Sequence, residues 1–264
     1  PFSLWSPKKD PATMSANPEE MEFRKTPMIS LGEVQRLVNY LHPKEDDIKN
    51  WQRFSVVMMF AFAGMRMSEV RGLKWDCLNL ENKQIKIRRT VVGNGGSQDQ
   101  VKAIGSKRDI IIHPALLYVL TKWKKLLYKY YGEQRPTFVF PSLRNTGSNI
   151  PICDRTITDW VKLAFADIGI AKVKVHPQKG RPDKKAFVEL LECRYKKVIT
   201  KTFRHFYSTA LLNAQAKNPD QLTNNFIKRQ VGHQDDETTR LIYGDHDNFD
   251  VNIDKQQKAI EQAI

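Results

Sequence analysis

Residues 64–75 read Gly64-Met65-Arg66-Met67-Ser68-Glu69-Val70-Arg71-Gly72-Leu73-Lys74-Trp75, directly after an apolar run from Phe54 to Ala63. That run predicts a helix over about Asp47 to Ala63. Gly64 stands where a helix stops in the left-handed conformation that glycine adopts at little cost. A second, short helix is expected over Ser68 to Gly72. Arg66 sits between them, among Phe60, Phe62, Met65 and Met67, so its guanidinium should be partly buried. A buried arginine needs a partner, and Glu69, three residues on, can orient it from the same helical face.

Two distant segments carry matching chemistry. One is Lys201-Thr202-Phe203-Arg204-His205; the other runs from Val231-Gly232-His233 through Thr238-Thr239 to Tyr243. Together the three segments offer two arginines, a histidine and a tyrosine, and the sequence implies no metal and no cofactor. Guanidinium forks hold the non-bridging oxygens of a phosphodiester bidentately. A tyrosine hydroxyl can carry a covalent intermediate. Tyr195 and Tyr207 compete with Tyr243, but Tyr207 falls in the helix after Arg204 and reads as core. His205 reads as a structural residue, and His113, His176 and His246 have no placed partner.

Composition agrees with a polyanionic partner. The 264 residues carry a formal net charge of +14, and charge of this sign favours nucleic acid. The alternative is a solvated basic surface. No apolar stretch reaches membrane-spanning length, and no secretory signal is present. Three cysteines, Cys77, Cys153 and Cys193, form no Cys-x-x-Cys pair, so a reduced, cytoplasmic setting with buried thiols is expected.

Outward from the opening stretch, residues 1–27 hold five prolines without sustained periodicity and read as a linker or tail. The leading proline suggests an excised fragment. Ser30 and Glu33 form a capping-box pattern ahead of Val34, Leu37, Val38 and Leu41. Strands are expected over Gln84 to Val92 and Arg108 to Ile112, with Gly93-Asn94-Gly95-Gly96 as a turn between them. A helix is expected over 115–131, a short strand over Thr137 to Phe140, and a helix over Asp154 to Ile168. From Ala171 to Lys201 there are ten lysines or arginines against three acids. This segment reads as a DNA-facing loop; the alternative is a solvated loop followed by an amphipathic helix bearing Phe187, Leu190 and Leu191. Helices follow over about Phe203 to Gln215, Asp220 to Gln230 and Glu237 to Ile242. A polar break at Asp245 to Asp250 precedes a last short helix.

The three segments resemble the boxes of the tyrosine recombinase (phage integrase) family. Gly64 to Glu69 with Leu73-Lys74-Trp75 is similar to its Gly-x-Arg-x-Ser-Glu and Leu-x-Trp; Lys201 to His205 to its His-x-x-Arg-His; Val231 to Tyr243 to its Leu-Gly-His, Thr-Thr and tyrosine. Lys201 stands where most members have histidine. Lys102, Ser106, Arg108 and Ile110 are similar to the family's hairpin run, though Ala103 replaces the usual threonine.

The resemblance implies a mainly α catalytic-domain fold with a small antiparallel sheet over residues 28–250. It implies that Arg66 and Arg204 clamp the phosphate, His233 and Lys201 assist, Glu69 braces the site and Tyr243 is the nucleophile. Lys102 would be the general acid, with Lys107 as the alternative; each could also be a plain surface charge. Lys107, Arg108, Lys179, Arg181, Lys184 and Lys185 are expected on DNA. The implied activity is site-specific recombination through a 3′-phosphotyrosyl intermediate and a Holliday junction. It would run in a homotetramer on paired double-stranded sites in a bacterial host, from a protein that is monomeric without DNA. A core-binding domain would lie upstream, and residues 251–264 would dock on a neighbouring subunit. A type IB topoisomerase-like nicking-closing enzyme and a DNA-binding module without catalysis are the alternatives.

Overall fold

The computed structural model describes residues 29–264 except 93–95, 99–106, 145–148, 180, 196–198, 218, 220–221, 233–256, 259 and 262–263. Its helices are α1 (Leu31–Leu41), α2 (Ile48–Ala63), α3 (Met67–Gly72), α4 (Pro114–Tyr131), α5 (Asp154–Asp167), α6 (Ile199–Lys217) and α7 (Asn224–Val231). The strands are β1 (Leu78–Asn79), β2 (Gln84–Ile87), β3 (Thr90–Val92), β4 (Gly96–Gln98), β5 (Arg108–Ile111), β6 (Ala171–Gln178) and β7 (Arg181–Cys193). They form three small antiparallel sheets ordered β1-β2-β5, β3-β4 and β6-β7. The fold is therefore mainly α with small antiparallel sheets, as the sequence implied.

α2 is the axis of the core. The Asp47 carboxylate caps it by accepting from the Asn50 N–H at 2.7 Å. From Trp51 to Ala63 every side chain except Arg53 is buried. A helix apolar on all sides is stable only inside a core, and α1, α4, α5 and α6 surround it. Gly64 ends it at φ 57°, ψ 25°. A Cβ built on Gly64 would lie 2.4 Å from Tyr207 Cδ1. Glycine there both permits the reversal and lets α6 approach.

α1 begins with the expected box. The Ser30 N–H donates to Glu33 Oε2 at 2.9 Å, and the Glu33 N–H donates back to Ser30 Oγ at 3.3 Å. Val34, Leu37 and Leu41 are buried. The same carboxylate also accepts from the Tyr195 hydroxyl and, at 2.8 Å, from Arg194 Nη1. Glu33 thus ties the chain entering α6 to α1, a contact 162 residues apart in sequence.

Several expected elements differ. The strand expected from Gln84 to Val92 splits in two. β2 pairs with β5 with Ile85 opposite Ile110 and Ile87 opposite Arg108. The Arg88 guanidinium then turns onto the Ile87 and Arg108 carbonyls at 3.1 and 3.0 Å, and Thr90–Val92 leaves to pair with β4. The strand expected at Thr137 to Phe140 reduces to a single bridge between Lys74 and Phe138. Only Cys77 is buried; Cys153 is exposed and Cys193 intermediate.

The largest correction is residues 171–193, expected as a loop or as loop and helix. They form the long hairpin β6–β7. Lys172-Val173-Lys174-Val175 alternates with the two-residue period of a strand, a signal that the lysine density obscured. α5 anchors one face: Lys162 Nζ donates to Val188 O at 2.7 Å, and the Val188 N–H donates to Asp159 Oδ1 at 3.3 Å. His176 stacks on Phe187, with ring centroids 4.3 Å apart, and the Arg155 guanidinium of α5 lies over the same Phe187 ring at 5.7 Å.

A second cluster joins Ile111, Tyr207, Leu211, Leu222, Phe226, Ile227 and Val231 with Ile260 from the C-terminal segment. Gln257 Nε2 donates to Ile112 O at 3.0 Å. The sequence reading favours docking of 251–264 on a neighbouring subunit in a DNA-bound assembly. In the single chain Gln257 and Ile260 lie on their own domain. The helix expected over Glu237 to Ile242 and the polar break after it lie outside the described residues.

Gly64→Ala is expected to cost about 2–4 kcal/mol, combining a non-glycine residue at positive φ with overpacking against Tyr207. Urea unfolding at neutral pH reads this directly; a loss near zero would show that α2 and α6 can separate without penalty.

Candidate active site

The end of α2 and the start of α3 place the first arginine. Arg66 is the N-cap of α3, with ψ 154°. Its backbone N–H donates to Glu69 Oε2 at 2.8 Å and its Nη1 to Glu69 Oε1 at 3.0 Å. The Arg66 side chain is 42% exposed, whereas that of Glu69 is 1% exposed.

Glu69 has a second, larger partner. Arg108 on β5 forks onto it, Nη1 to Oε1 at 2.7 Å and Nη2 to Oε2 at 2.8 Å. Each carboxylate oxygen therefore accepts two hydrogen bonds, which fills its lone-pair sites. Burial alone would push the Glu69 carboxyl up; the Arg108 fork, then Arg66, outweigh it and hold the group below its usual 4.5. Arg108 is itself buried, and its Nε donates to Gln230 O at 3.3 Å. This corrects the sequence reading, which placed Arg108 on DNA. Its guanidinium is spent inside the protein, on the brace behind Arg66.

The same fork shapes the turn after α7. Gly232 is the αL cap of that helix at φ 67°, and a Cβ there would lie 2.8 Å from Arg108 Cδ. Its carbonyl oxygen accepts from Arg66 Nη2 at 3.1 Å and from Arg204 Nη2 at 3.2 Å. Arg204, on α6, also donates from Nη2 to Val231 O, and from Nη1 to Gly64 O at 2.9 Å. Both arginines thus sit on carbonyls at helix C-termini, where unpaired acceptors and the helix dipole favour a cation. Burial, followed by the charges of Arg66 and Arg108, pushes the Arg204 guanidinium down to about 9. It stays protonated at pH 7. The result is two cations held side by side on one glycine carbonyl, the arrangement a phosphate clamp requires.

The remaining expected residues fall in different places. Lys201 lies one turn before Arg204 on α6 and is exposed. His205, read as a structural residue, is exposed on α6. Lys107 is exposed at the start of β5, and Lys179 at the tip of β6–β7. Arg181, Lys184 and Lys185 are on β7. Lys102, Ser106, His233 and Tyr243 lie outside the described residues. The rival tyrosines are sequestered. Tyr207 is fully buried, which pushes its hydroxyl above its usual value, and that hydroxyl faces Gln230 Oε1 at 3.4 Å. Tyr195 is pushed up to about 12 by burial and by its hydrogen bond to Glu33.

Gln230 escaped the sequence reading. Its side-chain oxygen accepts from the Ile111 N–H at 3.2 Å, tying α7 to β5 one residue before Val231. A lone glutamine in a polar helix carries no signal of this. His113, unassigned from sequence, caps α4 by accepting from the Ala115 N–H at 3.1 Å; burial pushes it down to about 4, so it is neutral at pH 7. Among the described residues no group of His, Cys, Asp and Glu could hold a metal ion, and no helix is long and apolar enough to cross a membrane.

The phage integrase family matches residues 28–249. The chain belongs to that family. Its fold is shared with solved members at low identity. The crystal structure of XerA recombinase superposes with a TM-score of 0.53 at 19% identity, covering 81% of this chain and 59% of that one. The Tn1549 transposon integrase, in complex with transposon right end DNA, gives 0.55 at 14% identity, covering 84% and 62%. XerH site-specific recombinase bound to difH substrate, in a pre-cleavage complex, gives 0.51 at 15%, covering 81% and 49%. This phage integrase chain thus spans less than two thirds of each of these structures. No curated protein matches it.

Arg108→Met would leave Glu69 buried without its main partner, at an expected cost of about 3–5 kcal/mol at neutral pH. Because the folded Glu69 carboxyl is depressed below 4.5, its stabilisation is complete above the unfolded value and lost as pH falls through the folded one. The stability gap between wild type and variant, from urea unfolding, should therefore narrow from about pH 6 toward about pH 3. A gap independent of pH would contradict an ionised Glu69.

Proposed function

We propose that this chain is the catalytic domain of a tyrosine-type site-specific DNA recombinase, acting on double-stranded DNA. The observation that carries the reading is the pair Arg66 and Arg204, fixed on the Gly232 carbonyl and backed by the Glu69–Arg108 fork. Family membership supports it. So does the burial of Tyr195 and Tyr207, which leaves Tyr243 as the candidate that follows the Gly232 turn.

In this mechanism Arg66 and Arg204 bind the two non-bridging oxygens of the scissile phosphate. The Tyr243 hydroxyl gives up its proton to His233 and attacks phosphorus in line, forming the 3′-phosphotyrosyl bond as the P–O5′ bond breaks. Lys102 gives a proton to the departing 5′ oxygen. His233 and Lys201 add to the charge facing the pentavalent phosphorane. The phosphotyrosine conserves the bond energy, and attack by a partner strand's 5′ hydroxyl reverses the step. Repeated on paired sites in a homotetramer, this exchange passes through a Holliday junction. The β6–β7 hairpin, with Lys172, Lys174 and Lys179 among its exposed residues, would track the DNA backbone.

Tyr243→Phe should retain DNA affinity and form no covalent adduct on a nicked suicide substrate, read by denaturing gel. An adduct formed by this variant, or mapped by peptide sequencing to another tyrosine, removes the assignment.

Neutralising Lys179, Arg181, Lys184 and Lys185 together should weaken binding to unrelated duplexes alike. The slope of log K against log salt should fall by about 0.9 for each phosphate that is no longer neutralised. An unchanged slope would make the hairpin a solvated arm.

A further inference from the structure

The last turn of α7 faces three cations. Its final carbonyls take one guanidinium after another. Gln230 O accepts from Arg108 Nε at 3.3 Å, Val231 O from Arg204 Nη2, and Gly232 O from both Arg204 Nη2 and Arg66 Nη2. The charges of Arg66 and Arg108 act against that of Arg204, so the position of these acceptors decides where the guanidinium groups sit.

The side chain at the head of this series is an amide. Gln230 is 2% exposed, beside the second apolar cluster. A buried amide costs free energy unless its atoms are bonded, and packing alone would be served by leucine or methionine. The reason for an amide lies in β5, the outer strand in the order β1-β2-β5. The Ile112 N–H turns inward, to Lys83 O at 2.8 Å. In an antiparallel ladder the next residue points its N–H and C=O the other way. The Ile111 N–H therefore leaves the sheet, and Gln230 Oε1 accepts it at 3.2 Å. The Tyr207 hydroxyl of α6 donates to the same oxygen at 3.4 Å. One oxygen thus ties α7 to the sheet and to the helix that carries Arg204. With the Arg108 bond to its main chain, Gln230 grips β5 twice.

We infer that Gln230 is a positioning residue for the arginine pair: its side-chain oxygen holds α7 at a fixed height and roll against β5 and α6, and so sets the Val231 and Gly232 carbonyls on which Arg204 and Arg66 rest. It acts through those carbonyls rather than on the phosphate. Its effect on a cleavage rate rests on the recombinase reading; its effect on the arginines rests on the geometry alone. Without the oxygen, the Ile111 N–H is left buried and unpaired. α7 must then move to relieve it, and the carbonyls move with it. A displacement of about 1 Å in a group that orients a reacting centre is enough to lower a rate about hundredfold.

Three variants of the whole chain test this. Gln230→Met keeps the length and removes the acceptor. Gln230→Glu restores an oxygen at the same reach. Ile227→Ala weakens the same helix in the same cluster without touching the hydrogen bond, and controls for lost packing. Single-turnover cleavage of a nicked suicide duplex by saturating protein gives the rate, at a temperature where all are folded, and duplex Kd is measured separately. Gln230→Met should cleave at least about tenfold more slowly with a wild-type Kd, whereas Gln230→Glu and Ile227→Ala should stay within about threefold of wild type. In the DNA-free protein, NMR should show the Arg204 guanidinium protons exchanging with water at least about tenfold faster in Gln230→Met, and at near wild-type rates in the other two. Wild-type behaviour of Gln230→Met in both readouts overturns the inference. So does a Gln230→Glu as impaired as Gln230→Met, or an Ile227→Ala impaired to the same degree, which would reduce Gln230 to packing. If the wild type forms no adduct, the recombinase reading fails, and the exchange rates alone decide the inference by the same limits.

Discussion

One buried carboxylate organises this domain. Glu69 accepts four hydrogen bonds, two from the Arg108 fork and two from Arg66. Burying an ion pair costs solvation that its own attraction barely offsets, so stability alone does not account for it. What it supplies is position. Arg108 reaches through Glu69 to Arg66, and its aliphatic stem lies where any side chain at position 232 would have to be. The first arginine and the turn that leads toward Tyr243 are set by one object.

Backbone carbonyls complete the arrangement. Arg204 joins the C-terminus of α2, through Gly64 O, to that of α7, through Val231 O and Gly232 O. Helix ends that would otherwise leave acceptors unpaired become the seat of the cations. Gly64 and Gly232 are needed for the same reason twice: each takes a left-handed conformation, and each leaves room for a side chain from elsewhere, Tyr207 and Arg108 respectively.

Local signals made much of this legible from sequence. The Ser30–Glu33 box, the Asp47 to Gly64 helix and its stop, and the pairing of Arg66 with Glu69 all depend on residues within a few positions of one another. Family resemblance added the order of the boxes. The losses were long-range or ambiguous. Arg108 looked like a surface cation because its partner lies 39 residues away. Tyr195 looked like a possible nucleophile because Glu33 is 162 residues distant. The β6–β7 hairpin was misread because Phe187, Leu190 and Leu191 suit a helix face as well as an irregular strand, and lysine density drew attention from the two-residue alternation beside it. The Arg88 exit from the sheet had no sequence signal, since it depends on carbonyls from two strands.

On the proposed function, Arg108 acts on the chemistry through Glu69 and Arg66, without touching the phosphate. A double-mutant cycle on the cleavage rate tests it, using wild type, Arg66→Ala, Arg108→Met and the double variant on a nicked substrate at a temperature where all four are folded. Expected is a coupling above about 1 kcal/mol, with Arg108→Met adding little once Arg66 is gone. Effects that add to within about 0.5 kcal/mol would mean that Arg108 and Arg66 act separately, and would contradict the claim.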